Sequence, residues 1–100
     1  MLTKKQRFEC YKGVLSLYEK DYQNMKDGGY GRRLGMCIEL FEYAKQNGMG
    51  GIDYSETLWP ELLPFKPKKT YSSGSWFNYD ERGTEKRIDI LNKAIVNCNV

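Results

Sequence analysis

The N-terminal quarter of the chain carries the feature that most restricts its fold, a row of apolar side chains repeated at helical intervals. Successive members are three or four residues apart, and they are Phe8, Tyr11, Leu15, Tyr18, Tyr22 and Met25. This spacing is typical of an amphipathic α-helix. Thr3 precedes the row as a candidate N-cap, and Gly28-Gly29 follows it as a stop. The sequence therefore predicts a long first helix that buries one aromatic-rich face.

Two further helices are predicted from the same kind of spacing. One runs from about Arg32 to Gln46, contains Gly35 where we expect a close backbone approach, and ends at Asn47-Gly48. The other starts near Asp80 or Thr84. Their apolar faces consist of Leu34, Cys37, Ile38, Phe41 and Ala44 in the second helix, and of Ile88, Leu91, Ala94, Ile95 and Cys98 in the third.

Residues 48–80 lack a regular pattern and form a long loop rich in aromatic residues. Pro60 and Pro64 prevent a long helix, so we expect only one or two helical turns around Glu56–Leu63. A short hairpin pairing Thr70-Tyr71 with residues 76–79 is compatible with the sequence. The prediction is a mainly α, small three-helix domain that spans residues 1–100 as a single unit.

The composition argues against several functions. The chain has 100 residues, a net charge of +3, no histidine and three cysteines with no C-x-x-C pair. Without histidine it lacks the commonest general base and zinc ligand, so we expect no enzyme activity, no metal and no cofactor. No apolar run is long enough for a membrane span, and we expect a reduced, cytoplasmic protein. Alternating acidic and basic residues at the start of the third helix, including Arg87, predict surface ion pairs.

The segment from Gly28 to Arg33 is the first candidate binding site. Glycines permit close backbone approach, and the N–H groups at a helix start attract anions. Arg32 and Arg33 would oppose the helix dipole unless a phosphate or carboxylate neutralised them. The alternative is a flexible turn between helices with solvated arginines.

Basic and aromatic residues in the loop form the second candidate site. Lys68 and Lys69 precede Trp76 and Phe77, and this mixture can bind single-stranded nucleic acid by charge and stacking. A tryptophan next to a phenylalanine in so small a domain also serves to close the core, or to contact a protein partner. The solvent exposure of Trp59, Trp76 and Phe77 distinguishes these interpretations.

The order of short motifs in residues 34–95 resembles a group of small bacteriophage and prophage proteins. The motifs are Leu34-Gly35-Met36-Cys37-Ile38, Leu58-Trp59-Pro60-Glu61-Leu62, Lys66-Pro67, Trp76-Phe77 and the helix containing Arg87. Met36, Trp59 and Phe77 replace a leucine, a phenylalanine and a tryptophan of the group's pattern. The resemblance implies a viral accessory protein in a bacterial cytoplasm, often acting on a host process, and it carries no catalytic residues with it.

These observations favour a non-enzymatic binding protein that engages a host or viral macromolecule, such as a component of host defence. The expected contact residues are Tyr30, Arg32, Arg33, Trp59, Trp76 and Phe77. The alternative is a binder of a phosphorylated ligand or single-stranded nucleic acid through the Gly-rich helix start and the Lys-rich loop. Homo-oligomer formation through the tyrosine-rich face of the first helix is compatible with both.

Overall fold

The computed structural model describes residues 2–31, 34–50, 56–68 and 76–99. Within these ranges the chain forms three α-helices, which are α1 (Lys4–Lys26), α2 (Met36–Gln46) and α3 (Glu81–Cys98). Two 3-10 turns, Glu56–Leu58 and Leu63–Phe65, lie in the long connection between α2 and α3. The predicted mainly α, three-helix fold is confirmed.

The described ranges contain no strand. Of the hairpin considered from the sequence, Thr70-Tyr71 lies outside the described residues, whereas residues 76–79 form bends and irregular backbone.

Helix α1 begins and ends as its sequence predicts. The Thr3 hydroxyl accepts a hydrogen bond from the Gln6 N–H, and the Gln6 side chain accepts one from the Thr3 N–H, which completes a capping box. At the other end Gly28 has a φ of +90°, and its N–H donates to the Met25 carbonyl. The Gly29 N–H donates to the Asn24 carbonyl, as in a Schellman motif.

Helix α2 begins at Met36 and not at Arg32, because Gly35 is its N-cap in extended conformation. A glycine inside a helix costs about 1 kcal/mol relative to alanine, and arginines in the first turn oppose the helix dipole. Both effects favour the later start, so the prediction that Gly35 lies within the helix is wrong. The C-terminus follows the prediction, with Asn47 as C-cap and Gly48 at a φ of +72°.

Helix α3 begins at Glu81, with Asp80 as its N-cap accepting a hydrogen bond from the Gly83 N–H at 2.7 Å. It packs mainly against α1. Gly83 faces the preceding loop so closely that a Cβ there would overlap the Asn78 carbonyl oxygen. The Tyr22 hydroxyl of α1 donates to the Glu85 carboxylate across the same interface.

The aromatic loop completes the hydrophobic core. Trp59 has 0% and Trp76 1% of its surface exposed, so these two predicted contact residues offer no surface to a partner. The Trp59 ring lies 5.7 Å from that of Tyr11, centroid to centroid. Three helices alone leave apolar side chains uncovered. Each aromatic side chain that becomes buried against them contributes roughly 1.5–3 kcal/mol to the stability of the fold. Core packing therefore accounts for both tryptophans.

Candidate functional site

A cluster of polar side chains connects α1 to the long loop between α2 and α3. The Glu61 carboxylate accepts hydrogen bonds from Arg7 Nε at 2.7 Å, Arg7 Nη2 at 2.9 Å and the Tyr11 hydroxyl at 2.9 Å. Arg7 Nη1 also donates to the Leu2 carbonyl at 2.8 Å. We call Arg7, Tyr11 and Glu61 the Glu61 cluster. It joins residues 50 and 54 positions apart in the chain, and no sequence pattern indicated it.

The hydrogen bonds of the Glu61 cluster determine its charge state. Burial raises the pKa of Glu61, but the hydrogen bonds from Arg7 and Tyr11 and the Arg7 charge outweigh it and hold the pKa below its ordinary value. The hydrogen bond to Glu61 likewise raises the pKa of Arg7. Glu61 is therefore an ionised carboxylate whose oxygens already accept three hydrogen bonds. This arrangement serves a structural role better than proton transfer.

Arg87 forms a second buried polar contact, and the prediction that it makes surface ion pairs is wrong. Its Nη2 donates to the carbonyls of Phe77 at 2.9 Å and Asn78 at 2.7 Å. Its guanidinium carbon lies 5.7 Å from the Tyr18 ring centroid and 4.9 Å from that of Tyr79. The side chain is buried because Arg87 lies one turn before Leu91, on the apolar face of α3. That spacing was visible in the sequence.

The structure leaves Tyr30 as the most exposed large hydrophobic side chain among the described residues, with 84% of its surface accessible. Leu34 is 44% exposed. Lys68 is exposed, and Phe77 is half-buried with the Lys86 ammonium 5.9 Å from its ring centroid. The remaining predicted contact residues, Arg32, Arg33 and Lys69, lie outside the described residues.

The backbone that carries Tyr30 is fixed to the end of α1. Asn24 Nδ2 donates to the Tyr30 carbonyl at 3.0 Å. Gly31 lies so close to Met25 that a Cβ there would overlap the methionine methyl group. Met25 in turn contacts Thr84, whose hydroxyl lies 3.8 Å from its sulfur. Tyr30 therefore lies at the end of the α1–α3 pair where α3 begins, with its carbonyl bonded to the last turn of α1.

The predicted anion site at Gly28–Arg33 lies before the start of α2 and not within its first turn. The first turn of α2 begins beyond this segment, after the N-cap Gly35. At the start of α3, the Asp80 carboxylate itself accepts from the Gly83 N–H, so that helix end already has a negative partner. The N-cap of α2 makes no side-chain hydrogen bond, and Arg32 and Arg33 lie outside the described residues, so anion binding by these arginines stays a prediction.

Cysteine and metal chemistry find little support in the described part of the chain. Cys10, Cys37 and Cys98 are all buried and free. Burial, followed by the charge of Glu9, raises the pKa of Cys10 to about 11, which disfavours the reactive thiolate. No group of three or more acidic or cysteine side chains in the described ranges could hold a metal ion. None of the helices described has the length and apolarity needed to cross a bilayer.

Compared with known proteins, the chain matches no family model, no curated protein and no solved structure. Among the described residues, Tyr30 is the most exposed large apolar side chain.

Proposed function

We propose that this protein is a non-enzymatic accessory binding protein that engages a protein partner through the surface around Tyr30. The observation that carries the proposal is the 84% exposure of Tyr30, whose backbone carbonyl accepts a hydrogen bond from Asn24 at the end of α1. A tyrosine in water is a poor contributor to stability, whereas at an interface it supplies a large contact area at low entropic cost.

The neighbouring sequence supports the same role. Leu34 adds a second exposed apolar side chain, and Arg32 and Arg33 lie between it and Tyr30 in the sequence. Tyrosine and arginine are the residue types enriched at energetically dominant positions of interfaces. We call Tyr30 and Leu34 the Tyr30 surface. The two arginines between them in the sequence favour a partner with carboxylates around an apolar hollow.

A role in binding rather than catalysis agrees with the state of the buried polar groups. The Glu61 carboxylate accepts hydrogen bonds from both Arg7 and Tyr11, and Arg87 donates to loop carbonyls. The resemblance to small bacteriophage proteins supports a partner from a bacterial cytoplasm, either a viral protein or a host component such as a defence factor.

Affinity capture from bacterial lysate with a matched pair of variants tests the proposal. Tyr30→Ala removes the exposed ring, whereas Gln46→Ala shortens an exposed side chain at the end of α2 and serves as the control. We expect wild type and Gln46→Ala to retain the same protein partner. Tyr30→Ala should lower the affinity for that partner by about 30-fold, which corresponds to the roughly 2 kcal/mol that an interface hot spot contributes to binding. Equal capture by Tyr30→Ala, or no specific partner for wild type, would contradict the proposal.

A salt titration separates this function from binding of a phosphorylated ligand or single-stranded nucleic acid. Binding dominated by phosphate contacts weakens steeply as salt rises, whereas binding anchored by an apolar side chain changes much less. Oligonucleotide or nucleotide binding that disappears with added salt and is insensitive to Tyr30→Ala would favour the alternative. Light scattering of the purified protein reports homo-oligomer formation separately.

A further inference from the structure

Asn24 forms hydrogen bonds with two successive residues of the segment that follows α1. Its carbonyl accepts a bond from the Gly29 N–H at 2.8 Å, and its side-chain Nδ2 donates to the Tyr30 carbonyl at 3.0 Å. The first bond is part of the Schellman motif that ends the helix. The second lies outside that motif, and it reaches the peptide group that joins Tyr30 to Gly31.

Gly29 leaves the space that the Asn24 side chain occupies. A Cβ at position 29 would lie 2.5 Å from Asn24 Oδ1 and 2.7 Å from Asn24 Cγ. Both distances are too short for a real contact, so a larger residue at this position would displace the amide. The bond from Asn24 to the Tyr30 carbonyl therefore depends on a glycine at position 29.

Asn24 contributes little to the stability of α1. It is exposed in the last turn of that helix, and asparagine is a poorer helix former than alanine. Asparagine lowers helix stability because its side chain competes for hydrogen bonds with nearby backbone groups. Here that property gives the following segment a defined conformation.

We propose that Asn24 is a positioning residue that holds the Tyr30–Gly31 peptide group in one conformation before a partner binds. Met25 lies against the same peptide group, since a Cβ at Gly31 would be 1.7 Å from its methyl carbon. Ordering a contact residue in advance lowers the entropic cost of binding. The consequence for affinity rests on the proposed function of Tyr30, whereas the conformation of the free protein does not.

Amide NMR relaxation of the full chain tests the proposal without a partner. In wild type we expect the Gly31 amide to have an order parameter of about 0.85, as in a rigid backbone. Asn24→Ala should lower it below about 0.6. Gln23→Ala is the matched control, because the exposed Gln23 amide bonds to Asp27 and not to Tyr30. A flexible Gly31 amide in wild type, or an equally ordered one in Asn24→Ala, overturns the proposal.

Thermal unfolding separates positioning from a general structural role. Asn24→Ala removes an exposed side chain and favours the helix, so its melting temperature should stay within about 3 °C of wild type. A larger fall in melting temperature would show that the variant loosens the fold as a whole. That result would overturn the assignment of Asn24 as a positioning residue.

Gly29→Ala provides a second route to the same state. Its Cβ displaces the Asn24 amide, so the order parameter of the Gly31 amide should fall as far as it does in Asn24→Ala. The same change made in Asn24→Ala should have no further effect, because the space is then empty. Additive effects of the two substitutions would show that they act separately and would overturn the proposal.

The protein that wild type retains in affinity capture, once purified, reports the consequence for recognition. Asn24→Ala should lower the affinity for it about fivefold, whereas Gln23→Ala should bind as wild type does. If Tyr30→Ala also binds as wild type does, the proposed function of Tyr30 fails, and the order parameter of Gly31 still decides the role of Asn24. If Tyr30→Ala loses affinity and Asn24→Ala does not, the proposal for Asn24 fails alone.

Discussion

Replacing Glu61 by glutamine is the most informative perturbation of this fold, because it keeps the side chain's size and removes its charge. In the native chain the carboxylate accepts two hydrogen bonds from Arg7 and one from the Tyr11 hydroxyl. A glutamine presents one carbonyl oxygen to these three donors and turns an NH2 group toward one of them. At least one buried donor then lacks a partner.

The cost follows from the number and kind of bonds affected. Hydrogen bonds to charged groups contribute about 1.5–3 kcal/mol each, and removing one partner of a buried ion pair costs about 3–5 kcal/mol. Arg7 and Glu61 lie at the edge of the core, and glutamine keeps part of the hydrogen bonding. We therefore expect the free energy of unfolding to fall by about 3 kcal/mol. The whole free energy of unfolding of a domain of this size is about 5–15 kcal/mol. The melting temperature should fall by roughly 12–24 °C.

The destabilisation caused by Glu61→Gln should also depend on pH, and it should be smaller at acidic pH. The pKa of Glu61 in the folded protein lies below its ordinary value of 4.5. A carboxylate with a lowered folded pKa contributes stability that is complete above the unfolded pKa and is lost as pH falls through the folded pKa. The stability difference between wild type and Glu61→Gln should therefore be largest near neutral pH and should narrow steadily below about pH 5.

Urea denaturation at a series of pH values measures both quantities. Glu9→Gln is the matched control, since Glu9 is an exposed carboxylate on the same helix as Arg7. It should change stability by less than about 0.5 kcal/mol. A Glu61→Gln variant as stable as Glu9→Gln at neutral pH, or a difference that grows as the pH falls, would refute the reasoning.

Four further predictions concern packing and reactivity. Arg87→Lys keeps the charge but loses the paired bonds to the loop carbonyls, so it should destabilise the fold by about 2–4 kcal/mol in urea denaturation. Gly83→Ala should lower stability by about 1–3 kcal/mol, because its Cβ meets the backbone carbonyl of Asn78. Gly13→Ala should be within about 1 kcal/mol of wild type, since the group it meets is a tyrosine ring that can move and alanine favours the helix. The three thiols, including Cys10 with its pKa raised to about 11 by burial, should resist a thiol reagent until the protein unfolds.

The sequence predicted most accurately the helix ends that are determined by residues close together in the chain. The cap at Thr3, the stop at Gly28 and the cap at Asp80, one of the two predicted starts of α3, are local arrangements of side chain and backbone. The start of α2 was misplaced because the spacing of apolar residues continues through Leu34, whereas the backbone at Gly35 is extended. Periodicity alone does not fix where a helix begins.

The polar contacts inside the core were beyond local prediction. Arg7 and Glu61 lie 54 positions apart, and neither lies in a motif that indicates the other. Arg87 is different, because its spacing before Leu91 could have indicated its buried position, but the charges beside it led to the wrong prediction of surface ion pairs. Whether Trp59 and Trp76 were buried depended on how much helix surface remained uncovered, and only the packed structure shows this.

Acrylamide quenching of tryptophan fluorescence tests most directly the claim that the aromatic loop closes the core and leaves recognition to other residues. Trp76→Phe reports Trp59 alone, and Trp59→Phe reports Trp76 alone, because the chain has two tryptophans. In each folded variant we expect blue-shifted emission and quenching far slower than in urea. Quenching of either folded variant as fast as the unfolded chain would contradict the account and would make that tryptophan a surface residue.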